Sequence, residues 1–218
     1  GSVKIEREWR VKTMSGYTYN YNSDGKVASV VSKDDNRVFE YSGNKLTIKD
    51  NDVIEYTMTL NNKGFATAVE NADHKWVIEY DADGYMIKGT KDGVQCTSQS
   101  ISDGNILYWT RFDDKNNFWR MKDATYLDKL NIGCIQTHWA EDLGFKRWAW
   151  EAVSLMEACV WHNFGDVMAE KTAVYTYEYD ANGLVTKETK YYGVWNETDT
   201  TGMDKDNEVT FTWEKIKK

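Results

Sequence analysis

Two cysteine–histidine pairs stand at spacings that suit a metal: Cys134 and His138 are four apart, Cys159 and His162 three apart. Two thiolates and two imidazoles make a legitimate zinc set. The pairs lack zinc-finger spacing, however, and both histidines adjoin a tryptophan. The simpler reading is no metal site. The three cysteines (Cys96, Cys134 and Cys159) are an odd count, so they cannot form a closed disulfide framework. They read best as free buried thiols acting as small hydrophobes. His74 sits between Asp73 and Lys75 and reads as a loop histidine.

Carboxylates offer a second chemistry. Glu141, Asp142, Glu151 and Glu157 gather near tryptophans. Two carboxylates beside aromatic rings can hydrolyse a glycosidic bond when burial keeps one of them protonated. With 35 acidic residues in the chain, such groupings arise freely, and a solvated face is the default. No Gly-x-Ser-x-Gly elbow and no Walker-type phosphate loop occurs. The chain is therefore read as a non-enzyme without a cofactor. A glycan-acting hydrolase using carboxylates in 141–157 is the alternative.

The tryptophans carry more. Six of the ten (Trp109, Trp119, Trp139, Trp148, Trp150 and Trp161) lie between residues 109 and 161. Indole rings suit the apolar faces of sugars, other aromatics or a protein groove. Trp148 and Trp150 are two apart and cannot share a helix face, so one of them should lean outward. Trp139, Trp148 and Trp150 are accordingly the candidate ligand-binding residues. The plain alternative is that all six fill a core.

These residues need a frame, and the chain repeats one. The stretches YTYNYNSDGKV (17–27), YTMTLNNKGFA (56–66), WVIEYDADGYM (76–86) and YTYEYDANGLV (175–185) follow one pattern. Each opens on an aromatic residue, alternates apolar with polar, then turns on Asn or Asp with Gly eight residues after the start. Asp81 and Asp180 can accept hydrogen bonds from their own turns, and Gly84 and Gly183 can take the left-handed conformation. That is a β-hairpin closure. Tyr17, Tyr19 and Tyr21 point to one face and Thr18 and Asn20 to the other. Tyr21, Tyr41, Leu60 and Tyr80 recur at intervals of 20, 19 and 20, a repeat architecture.

The expected fold is mainly β. Residues 3–112 form a repetitive antiparallel meander of hairpins, a curved sheet. Residues 113–168 form a partly helical insert covering it. Residues 169–218 carry the returning repeat and a closing strand, Val209-Phe211-Trp213. The helix is expected over 142–161, where Trp148, Val153, Met156 and Val160 follow spacings of 5, 3 and 4. The whole is expected to be one domain.

Composition narrows the partners. Hydrophobic residues make up 41% and the formal net charge is −8, so a core can form and disorder is excluded. The acidic balance and the lack of a basic run argue against nucleic acid. No apolar run approaches the ~20 residues of a membrane-spanning helix. Gly1-Ser2 without an initiator Met reads as a processed or engineered start.

The phrases Tyr177-Glu178-Tyr179-Asp180-Ala181-Asn182-Gly183 and Ile78-Glu79-Tyr80-Asp81-Ala82-Asp83-Gly84 are similar to the tyrosine–aspartate repeats of Rhs-type bacterial secreted proteins. The chain as a whole resembles an uncharacterised family of Bacteroidetes lipoproteins. These carry such hairpins, a phrase like Lys129-Leu130-Asn131-Ile132-Gly133, an insert and a final repeat. The arginine that often follows the Gly in Rhs repeats is replaced here by Lys26, Phe65, Tyr85 and Leu184. The resemblance implies export and lipid tethering at the cell envelope, periplasmic or at the outer-membrane surface. It implies no catalytic residue. The functional expectation is an exported, envelope-associated binding or scaffold module, with a glycan or an envelope protein as partner. A structural adaptor pairing through edge strands is a further alternative.

Overall fold

A computed structural model of the chain describes residues 8–112, 118–130, 154–163, 169–193 and 200–217. Among them are sixteen strands in one closed antiparallel barrel, each paired with its neighbours in sequence. They are β1 (Trp9–Met14), β2 (Tyr17–Tyr21), β3 (Val27–Val31), β4 (Asn36–Ser42), β5 (Lys45–Asp50), β6 (Val53–Leu60), β7 (Ala66–Glu70) and β8 (Lys75–Tyr80). The remainder are β9 (Met86–Lys91), β10 (Val94–Ser102), β11 (Asn105–Phe112), β12 (Phe118–Leu130), β13 (Ser154–Asn163), β14 (Ala169–Tyr179), β15 (Val185–Gly193) and β16 (Asp204–Lys215). β16 closes the ring against β1, with Trp213 opposite Val11 and Phe211 opposite Met14.

The repeated hairpins form as their turn chemistry requires. The Asp81 carboxylate accepts the Tyr85 amide at 2.9 Å, and the Gly84 amide donates to the Asp81 carbonyl at 3.1 Å. Gly84 has φ 92°, and a Cβ there would stand 3.0 Å from the Phe65 ring. A side chain there would be strained by the backbone conformation and would crowd the Phe65 ring. Asn22, Asn61 and Asp180 close their turns in the same way. These turns join an even strand to the following odd one, so all lie at one end of the barrel.

The curved sheet under a helical cover is a correction. The oily face lies not on a helix but on the opposite wall of the barrel. Tyr19, Phe39, Leu46, Ile48, Met58, Ile78, Trp109, Met121, Met156 and Cys159 belong to one buried cluster drawn from all round the ring. The segment expected to be helical, 142–161, falls partly outside the described residues; from Ser154 onward it is strand β13. The error has a physical cause. Both faces of β13 are buried: Met156 and Cys159 in the central cluster, Ala158 and Val160 on the other side. A strand buried on both faces reads as an unbroken apolar run without period two, which patterning cannot tell from a buried helix. β12, also in the expected insert, runs thirteen residues as a strand.

The repeat tyrosines have a task beyond apolar burial. A bulge follows the first residue of β3, β7, β9 and β15 and the second of β11, leaving Ala28, Thr67, Ile87, Thr186 and Leu107 as the extra residues. A bulge disturbs the ladder and leaves backbone groups in need of partners. Tyr41 donates to the Val27 carbonyl at 3.0 Å, Tyr80 to Ala66 at 2.6 Å and Tyr126 to Ile106 at 2.7 Å. The Trp213 indole N–H serves Val185 at 2.7 Å. In each case an inward aromatic on the next strand satisfies the carbonyl just before the bulge.

Candidate functional site

Two halves of the barrel interior differ in kind. Within β1–β9 the inward row is apolar: Leu46, Ile48 and Met58 have no exposure at all. From β10 to β16 it becomes mixed. Gln99, Trp109, Met121, Trp161 and Lys171 lie directly opposite one another across five strands. The row begins at an exposed Lys171, third residue of β14, and ends at a buried Gln99, sixth of β10. Trp109 and Trp161 meet edge to face with ring centres 5.6 Å apart. Such pairs add a little beyond the area they bury.

A second inward group adjoins Trp161. Lys190 Nζ lies 5.6 Å from the Trp161 ring centre, 4.3 Å from that of Tyr192 and 3.1 Å from Asp206 Oδ2. Burial works against the Lys190 charge, but the Tyr192 and Asp206 oxygens outweigh it and hold the ammonium above its usual range. Burial pushes the Tyr192 and Tyr175 hydroxyls up, Tyr175 well beyond the ordinary phenol range. The Cys159 thiol, deep in the same wall, is pushed up to about 12 by burial despite the nearby Lys190 charge. Such a thiol is inert as a nucleophile. Glu188 is buried on the inner face, opposite Tyr177 and Val209.

Gln99 is the anomaly in this wall. It is 7% exposed, and neither its amide oxygen nor its amide nitrogen has a hydrogen-bond partner. A buried amide left so costs about 1–3 kcal/mol. Deep polar groups are almost always satisfied, and an exception asks for an explanation such as local strain or an ordered water or ion.

The residues singled out from sequence fare unevenly. Trp139, Trp148 and Trp150 lie outside the described residues, as do Cys134, His138, Glu141, Asp142 and Glu151. Glu157 is exposed on β13, and His162 lies near the end of that strand. His74 caps a hairpin tip, bonding Asp92 at 2.8 Å. Among the described residues no three potential ligands gather as a metal set. Of the six clustered tryptophans, Trp109 and Trp161 line the interior. The sequence reading missed Gln99 and Lys190. Each stands in a strand of alternating pattern, and alternation alone does not say which face is inward once both carry polar residues.

The outer surface has its own order. Opposed residues carry opposite charges: Glu79 faces Lys88, Glu178 faces Lys187 and Glu70 faces Lys75, each an ion pair. Lys49 bonds Glu40 at 2.7 Å. Thr13 and Thr212 join hydroxyls at 2.6 Å across the closure. No helix among the described residues is long and apolar enough to cross a membrane. That observation does not bear on strands.

No family model and no curated protein matches the chain. Solved structures do. A porin-like protein from Bacteroides uniformis is 20% identical with a TM-score of 0.60, over 91% of this chain and 90% of that one. A porin-like protein from Bacteroides vulgatus is 10% identical with a TM-score of 0.57, over 95% and 99%. At these identities the likeness is one of fold. Both neighbours come from Bacteroides, in keeping with the bacterial group the resemblance indicated.

Proposed function

We propose that the chain is an envelope-associated binding or scaffold module whose barrel stands in water instead of crossing the bilayer. The observation that carries this reading is the polarity of the wall. A membrane-spanning barrel turns apolar residues to lipid and polar ones inward, over strands of ~9–11 residues. Here the outer face carries the pairs Glu79–Lys88 and Glu178–Lys187, while Leu46, Ile48 and Met58 pack inside. β2, β3 and β7 have five residues each. A lysine on a lipid face costs about 2–4 kcal/mol at mid-bilayer, so several such pairs oppose insertion strongly. The envelope association rests on the porin-like neighbours from Bacteroides and on the lipoprotein resemblance, which also supplies the lipid tether.

Closure of the barrel leaves no free edge among the described strands, so an adaptor working by strand addition loses its basis. Trp139, Trp148 and Trp150 remain the proposed contacts for a glycan or an envelope protein. The test is flotation of the unlipidated chain with vesicles of phosphatidylethanolamine and phosphatidylglycerol. The protein should stay in the aqueous fraction and add no conductance to a planar bilayer. Co-flotation with conductance steps would sink the reading.

A further inference from the structure

We propose that the rim formed by the β5–β6, β7–β8 and β9–β10 turns docks a basic protein segment that carries apolar side chains. The inference deepens the binding half of the function proposed above and rests on it.

These turns join an odd strand to the next even one, so they lie at the end opposite the Asp/Asn–Gly turns. Two of them carry the three most exposed large aliphatics among the described residues. Val53, 70% exposed, and Ile54, 60% exposed, open β6; Val94, 72% exposed, opens β10. Val77, Ile87 and Leu107 are less exposed and lie along the strands. The turns do not require these hydrophobes. Asn51–Asp52 and Asp92–Gly93 each place two residues in the left-handed region, and such a hairpin is set by its two central residues. A single exposed aliphatic is ordinary, but a group on one rim marks an interaction site. The β7–β8 turn between them adds the exposed Ala72. β6 and β10 stand four strands apart, about 19 Å at the usual strand spacing. That span suits about six residues of extended chain or about thirteen of helix.

Charge selects the occupant. The exposed charged residues in the β3–β4, β5–β6, β7–β8 and β9–β10 turns are Asp34, Asp52, Asp73 and Asp92, against Lys33 alone. The Lys75 amide and the His74 ring hold the Asp92 carboxyl below its usual range, so it stays charged. The lysines just behind the tips are engaged: Lys49 pairs with Glu40 and Lys75 with Glu70. An anionic lipid surface, or the same rim of a second copy, would bring like charges together. A segment with Lys or Arg beside apolar side chains matches the acidic and the apolar residues at once.

Peptide selection reads the partner's chemistry directly. A phage library of random peptides of about twelve residues, long enough to cross the rim, is selected on the whole chain. Binders shared with a Val53→Thr, Val94→Thr double variant are removed. Both sites are exposed strand positions, so the thermal midpoint should not move. Asp52→Asn with Asp73→Asn forms the second variant, since Asn tolerates the left-handed backbone at position 52. The expected result is enrichment of peptides rich in Lys or Arg and in aliphatic or aromatic residues. By fluorescence anisotropy their affinity should fall about tenfold in either variant, and it should weaken as salt is raised. No enrichment, acidic winners, or equal affinity for wild type and variants would overturn the surface. So would rim-dependent dimers in sedimentation, or rim-dependent binding to phosphatidylglycerol vesicles. A chain that stays with water in the flotation assay yet selects no rim-dependent peptide loses this surface alone.

Discussion

The Tyr80 hydroxyl, on β8, donates at 2.6 Å to the carbonyl of Ala66, the residue just before Thr67 bulges out of register in the β6–β7 pair. Phe65 stacks on the same ring at 5.5 Å. The tyrosine of the repeat is therefore both a wall of the core and the partner of a backbone group that the ladder does not serve. Tyr80→Phe keeps the ring and strands the carbonyl. The expected cost is about 1–3 kcal/mol, read as a lower midpoint in urea at unchanged slope. Tyr191→Phe, on the outer face, should change stability by much less. Equal effects of the two would refute the role.

The same hydroxyls set an alkaline limit. Burial raises Tyr21, Tyr80 and Tyr126 well above the ordinary phenol range. Each folded-state pKa exceeds the unfolded one, so the proton is bound more tightly in the native barrel. The resulting stability is complete below the unfolded phenol value near 10 and fades as pH climbs toward the folded values. Denaturation midpoints should be flat from neutral pH to about 9 and fall steeply above about 10. Phenolate absorbance should rise together with unfolding, not before it. Early ionisation of most tyrosines in a folded barrel would contradict the burial argument.

Polarity of the wall predicts unequal mutations. Met58 is fully buried, and Met58→Ala should cost about 2–5 kcal/mol through lost burial and the cavity left behind. Glu79→Ala breaks an exposed pair with Lys88 and should cost under about 1 kcal/mol. Chemical denaturation of both variants checks the difference. A barrel with its apolar side outward would reverse the order in detergent.

Much of the first half of the barrel is legible from sequence because two signals agree there. Asp81 and Gly84 fix the turn, and Tyr17, Tyr19 and Tyr21 fix the face. The closure is not legible: Trp213 opposite Val11 is a pairing between chain ends, and no local pattern encodes it. Residues 154–161 mislead because Leu155, Met156, Ala158, Cys159 and Val160 are all buried, which erases the alternation. The hydroxyl task of Tyr80 and Tyr126 was hidden for another reason. Regular spacing announces a repeat, yet only coordinates reveal which carbonyl each ring can reach. Gln99 gave no signal either, since an isolated glutamine between Ser98 and Ser100 reads as a solvated position.

Thiol chemistry separates the described cysteines. Cys159 is 1% exposed, and burial lifts its thiol to about 12. At neutral pH almost none of it is thiolate, the form that attacks alkylating reagents. Cys96 is only partly buried, its thiol donating weakly to the Gly89 carbonyl at 3.5 Å. Iodoacetamide should therefore modify Cys96 in the native protein and reach Cys159 only after denaturant is added, with peptide mapping to assign each site. The folded pKa of Cys159 lies above the unfolded value, so its protection adds to stability below the ordinary thiol range and wanes as pH nears 12. Labelling of Cys159 at the rate of Cys96 under native conditions would mean that β13 is not the inner wall described for it.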